Sequence, residues 1–151
     1  MTQEEKQLLL KDLCARVPYV TFVYVEWHET EEMEICEGCE DDEEEPNIHT
    51  LISCNYYGEC DLDDNLSKTI YDIKPYLRPL SSMTEEEKKV FDDFCVIDVF
   101  VWEGNVEIGY KNQANIMSGG IDWLNAHQFD YRGLIKKGLA LEAPKGMYKN
   151  F

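Results

Sequence analysis

Between Val17 and Ser67 the chain contains no lysine and no arginine, yet this stretch holds 16 of the 31 acidic residues. No other feature restricts the fold as strongly. Unpaired carboxylates are almost never buried, and a run of them repels itself. The core must therefore come from the flanking residues and from the few apolar patches inside the stretch. The remaining 100 residues carry 15 acids against 14 bases, so the net charge of −17 belongs to one segment. Its densest part, residues 26–45, has 12 acids and no base. Within it Glu40-Asp41-Asp42-Glu43-Glu44-Glu45 is expected to be a solvated loop tip.

The flanking sequence has the material for a core, since hydrophobic residues are 44% and aromatics 12% of the 151-residue chain. Thr2 and Glu5 form a capping box, in which hydroxyl and carboxylate each satisfy a free amide at a helix start. Leu9, Leu10, Leu13, Cys14 and Val17 follow at helical spacing, which predicts a helix over residues 3–16 ended by Pro18. The β-branched and aromatic run Tyr19 to Trp27 predicts a strand, and His49 to Tyr57 another, with Met33 to Cys36 a candidate to pair between them. Asp61, Asp63 and Asp64 are expected in a polar loop. Pro75 and Pro79 are expected to keep Ile70 to Leu80 extended but outside any central strand. A second capping box, Thr84 with Glu87, opens a helix over residues 85–95. Val96 to Trp102 and Val106 to Tyr110 read as a hairpin around Glu103-Gly104-Asn105. Two short helices are expected at residues 121–126 and 131–137, the second capped by Asp130 and stopped by Gly138. The order predicts a single α+β domain over residues 1–151. It has an antiparallel sheet, an N-terminal helix, a middle helix, short C-terminal helices and an acidic, loop-rich segment at 26–65.

The polar amino end lacks the apolar stretch of a signal peptide, and no apolar run approaches bilayer length, so a cytoplasmic location is expected. In a reducing compartment disulfides are not expected, and Cys14 and Cys95, in apolar helical patterns, read as buried thiols. Cys36-Glu37-Gly38-Cys39, followed by Cys54 and Cys60, is a candidate zinc site of four thiolates, with His28 and His49 as substitute ligands. The spacing of the second cysteine pair departs from the usual zinc pattern, and the surrounding acids oppose thiolate formation. His127, near Asp130, has the makings of a general base, but no nucleophile, phosphate loop or metalloprotease motif accompanies it. No catalytic residue is assigned, and the expectation is a non-enzyme. Asp61-Leu62-Asp63-Asp64-Asn65 lacks the glycine and distal glutamate of a calcium loop.

The segments Ile121-Asp122-Trp123-Leu124-Asn125-Ala126-His127-Gln128-Phe129-Asp130-Tyr131-Arg132-Gly133-Leu134-Ile135 and Gly138 to Pro144 resemble a group of small uncharacterised proteins of gut Bacteroidales, their phages and mobile elements. The same group resembles the chain at Met1 to Arg16 and at Lys74 to Thr84. The resemblance implies an accessory gene of a phage or mobile element and supplies no activity. The charge excludes direct nucleic-acid binding and attraction to anionic membranes, both of which need clustered bases. Two functions remain: binding a partner protein with a basic surface, with Asp41, Asp42, Glu43, Glu44 and Glu45 as contact residues, or mimicking nucleic acid to occupy a DNA-binding protein. A small zinc-binding protein is a further alternative.

Overall fold

The computed structural model describes residues 1–26, 47–94 and 118–148. Helix α1 spans Gln3–Arg16 and opens with the capping box: the Thr2 hydroxyl accepts from the Glu5 N–H, and the Glu5 carboxylate accepts from the Thr2 N–H. The strands are β1 (Phe22–Val25), β2 (Ile48–Cys54), β3 (Glu59–Leu62), β4 (Ser67–Thr69), β5 (Ile73–Leu77) and β6 (Leu141–Glu142). Helices α2 (Glu85–Asp92) and α3 (Ser118–Ala126) follow among the described residues. The Thr84–Glu87 box opens α2 as the sequence requires. The strands form one sheet in the order β4-β3-β2-β1-β5-β6, antiparallel except for the short β5–β6 pair. The protein is thus α+β, as expected. Among the described residues no helix is long and apolar enough to cross a membrane.

One sheet face is covered by α1 and the C-terminal segment. Leu9 and Leu13 of α1 pack with Val23, Val25, Leu51, Leu62, Ile73 and Leu77 of the sheet and with Leu134, Leu139 and Ala140. A second cluster gathers Met83, Phe91, Leu124, Phe129 and Tyr131. There Trp123 stacks against Phe91 and Phe129 at centroid distances of 5.9 and 5.7 Å.

Several local expectations are corrected. Asp61 belongs to strand β3, and Asp63 to Asn65 make a tight 3-10 turn into β4, so this part of the acidic segment is sheet. The β2 strand stops at Cys54, and residues 55–58 turn the chain. Ile70 to Leu80 contains a true strand, with Pro75 paired to Val23. The register explains how. The Glu26 N–H donates to the Asp72 carbonyl, so hydrogen-bonded pairs alternate from there and Val23–Pro75 is a non-bonded pair. The proline nitrogen faces away from β1, and β6 pairs only from Tyr76 onward. The helix expected at 131–137 is a series of turns, because Gly133 adopts φ 72° and breaks the helical path. Asp130 nevertheless caps it, accepting from the Leu134 and Ile135 N–H groups at 2.8 and 2.9 Å. The readings at Met33 to Cys36 and at 96–110 lie outside the described residues.

Candidate functional site

Of the proposed zinc ligands, Cys36 and Cys39 lie outside the described residues, as do Asp41, Asp42, Glu43, Glu44 and Glu45. Cys54 and Cys60 are described, and the expectation of free thiols is corrected: they form a disulfide across β2 and β3, with Cα atoms 4.2 Å apart. A β-bulge sets up the pairing. The β2–β3 register shifts between Leu51 and Ser53, leaving Ile52 as the extra residue. Beyond it Cys54, instead of Ser53, turns toward the core and meets the buried Cys60. In this bonded state neither sulfur is a thiolate, so a four-thiolate zinc site requires the pair to be reduced. Cys14 is exposed, since it faces outward from α1, and partial burial pushes its thiol up. Its Sγ lies 3.8 Å from the Cys54 carbonyl oxygen.

The disulfide closes the base of a hairpin whose tip projects two aromatic side chains, Tyr56 and Tyr57, 86% and 79% exposed. The Asn55 side-chain oxygen accepts from the Tyr57 and Glu59 N–H groups, while its amide donates to the Glu59 carboxylate. Gly58 turns the chain with φ +86°, and a Cβ there would stand 3.1 Å from Ile70 Cγ2. On one flank Asp61 accepts from the Ser67 and Ser53 hydroxyls at 2.8 and 2.9 Å, which hold its carboxyl below the ordinary value. On the other, Tyr56 and Tyr57 wall a groove floored by Lys6, Gln7, Leu10, Lys11 and Cys14 of α1.

At the far end of the same strand pair, His49 on β2 meets the turn after β3. Its Nδ1 is 2.8 Å from Asp63 Oδ1, and a ligand atom from each of His49, Asp63 and Asp64 lies within 4.8 Å of the others. An ionised carboxylate only accepts, so Nδ1 is the donor, and in the neutral ring Nε2 is left with a bare lone pair. His49 is 7% exposed, and its Nε2 has no hydrogen-bond partner. An orphaned buried polar atom costs about 1–3 kcal/mol. Sequence reading named His49 only as a substitute for a cysteine and set the aspartates aside for lack of a calcium motif. The signal it lacked was the β2–β3 register, which places His49 beside the turn.

The C-terminal motif performs structural work. His127 Nδ1 bonds the Trp123 carbonyl at 2.9 Å, and its ring stacks on Trp123 at 4.2 Å, while Asp130 is engaged by Leu134 and Ile135. A general-base pairing of the two is not formed. Instead, fully buried Arg16 of α1 makes a two-pronged bond to Asp12, at 2.8 and 3.0 Å, and donates to the Phe129 carbonyl at 2.7 Å. Arg132 reaches the same Asp12 carboxylate at 3.3 Å. Gln128 accepts weakly from Arg16 and donates to the Val20 carbonyl and the Thr21 hydroxyl. Arg78 exchanges backbone hydrogen bonds with Gln128 and Asp130, lies over the Phe129 ring and pairs with Glu87. Met1 to Arg16, Lys74 to Thr84 and Ile121 to Ile135 therefore meet around Gln128 to Asp130.

Comparisons with protein-family models, with curated proteins and with solved structures find no match.

Proposed function

We propose that the chain is a cytoplasmic, non-enzymatic accessory protein of a phage or mobile element that binds a partner protein with a basic surface through its acidic segment, residues 26–65. The supporting observation is the β2–β3 hairpin, the described part of that segment. Exposed tyrosines at its tip stand beside carboxylates on its flank, Glu59 and Asp61, the latter held in place by two serines. Aromatic side chains presented on a braced turn bind with little loss of conformational freedom, and acids around them steer a basic partner. Neutralising Asp41, Asp42, Glu43, Glu44 and Glu45 to serine and asparagine, and separately changing Tyr56→Ala with Tyr57→Ala, tests the reading by capture of partners from the host at low and high salt. Both variants should stay folded and lose capture, and wild-type capture should weaken steeply with salt. Equal capture by all three proteins at the same salt defeats the proposal.

The second reading, a nucleic-acid mimic, is favoured by acids that stand on a strand instead of a free loop: Glu59 and Asp61 both point out from β3. It requires carboxylates spaced like phosphates over a wide rigid face. Competition between this protein and duplex DNA for the captured partner separates the two.

A further inference from the structure

We propose that the groove between the hairpin tip and α1 binds a small aromatic anion, one flat ring system joined to one phosphate or carboxylate. Its volume is about 460 Å³, within the range of small-molecule sites. Tyr56 and Tyr57 wall it, and Lys6, Leu10, Lys11 and Cys14 lie along its floor. The inference does not rest on partner binding, although both use the tyrosines. Charge is the first argument. The chain has 31 acids against 14 bases, yet the described lining of this groove holds two lysines and no carboxylate. The helix arranges this: the floor residues recur three or four apart along one stripe of α1, while Glu5 turns back to cap Thr2 and Asp12 is buried against Arg16. Among the described residues neither Lys6 nor Lys11 enters an ion pair. Lys6 is half-buried with its Nζ 5.1 Å from the centre of the Tyr71 ring, which holds the ammonium in place without neutralising it.

Shape is the second argument, and it is independent of charge. The Tyr56 and Tyr57 rings meet edge to face, with centroids 5.8 Å apart and planes at 81°. Such a corner offers the face of one ring to a third flat ring, while the other ring closes its side. The corner is braced from below by the Cys54–Cys60 bond and the Asn55 hydrogen bonds, so little freedom is lost when a ring stacks there. The lining also excludes other ligands. A cation meets no carboxylate on it, and an uncharged hydrocarbon would strip water from two lysines without return. A nucleic-acid strand would run out of the groove onto a protein of net charge −17, with Glu59 next to the turn. A single ring carrying a single acid satisfies tyrosines and lysines together and ends before that repulsion begins.

The test uses the full-length protein and the double variant Lys6→Gln with Lys11→Gln, which should stay folded because glutamine is a good helix former. The probes are adenosine monophosphate and indole-3-acetate, each titrated to about millimolar concentration, with adenosine, indole, phosphate and acetate as controls that carry only the ring or only the acid. At least one of the two aromatic acids should shift the NMR signals of Lys6, Lys11, Tyr56 and Tyr57 and slow iodoacetamide alkylation of Cys14. The acid that binds more tightly tells whether phosphate or carboxylate is preferred. The controls should bind about ten-fold or more weakly, and the lysine variant should lose about ten-fold in affinity for the acid. Three results would each overturn the proposal: neither acid perturbs these residues, a control binds as well as its aromatic acid, or the lysine variant binds as tightly as wild type. The lysine variant keeps both tyrosines and every acid of residues 26–65, so ligand uptake and partner capture are read separately and fail separately.

Discussion

Replacing Asp12 by asparagine should be the most damaging single-atom change in this protein. Asp12 and Arg16 are both 0% exposed, and the Asp12 carboxylate is shared by Arg16 and Arg132. The amide keeps the shape of the side chain but removes the one negative charge that, among the described residues, faces both guanidinium groups, one of them wholly buried. Arg16 would retain the Phe129 carbonyl at 2.7 Å and the long contact to Gln128, neither of which carries a formal charge. Removing one partner of a buried ion pair costs about 3–5 kcal/mol. For a chain of this length, roughly 2–4 °C of melting temperature is lost per kcal/mol, so the expected drop is about 6–20 °C. The assay is thermal and urea unfolding of wild type, Asp12→Asn, Arg16→Met and the double variant. The double variant removes the stranded charge along with its partner, so it should be less destabilised than the sum of the singles by about 1–3 kcal/mol. A melting point for Asp12→Asn within about 3 °C of wild type, or strict additivity in the cycle, would refute the joint as described.

Four further outcomes are expected. Tyr148→Phe should destabilise by about 1–3 kcal/mol, because the Tyr148 hydroxyl accepts from the Phe22 N–H and donates to the Tyr76 carbonyl, bridging β1 and β5. Burial pushes the pKa of that tyrosine up to about 12, so its stabilising contribution is complete below about pH 10 and lost as pH rises toward 12; alkaline unfolding monitored by fluorescence should lose this step in Tyr148→Phe. Glu87 behaves oppositely: burial pushes its carboxyl up, but Arg78 and the Thr84 cap outweigh this and hold it below the ordinary value. Its contribution is therefore present above the unfolded carboxylate pKa of about 4.3 and fades as pH falls below that, and Glu87→Gln should cost about 1–2 kcal/mol at neutral pH while flattening the acid limb of the stability curve. Reduction of the Cys54–Cys60 bridge, which closes a loop of sequence separation 6, should lower stability by about 2 kcal/mol without unfolding the sheet; an unchanged melting temperature after phosphine reduction would count against the bond.

The sequence alone determined the elements whose cause is local. Both capping boxes, the extent of α1, the start of α2 and the α+β class follow from residues within a few positions of one another, because hydroxyl, carboxylate and backbone amide meet at fixed helical offsets. The neutral framework and the bare acidic segment were likewise legible as composition, and so was the Asp130 cap. What the sequence misjudged depends on partners far along the chain. Pro75 is tolerated in a strand only because the register with β1 turns its nitrogen outward, and no local rule reports a register. The bulge at Ile52 brings Cys54 to Cys60, so two cysteines that read as zinc ligands are bonded to each other. His49 read as a substitute ligand for the cysteine cluster, and only the sheet set it beside Asp63 and Asp64. Arg16 and Asp12 stand four residues apart on α1, a spacing that lets them pair but says nothing of burial. Only the packing of the C-terminal segment, more than a hundred residues away, buries them and gives them the Phe129 carbonyl and Arg132 as partners. Short-range hydrogen-bond geometry is written in the sequence, whereas burial and register arise only when distant segments exclude water together.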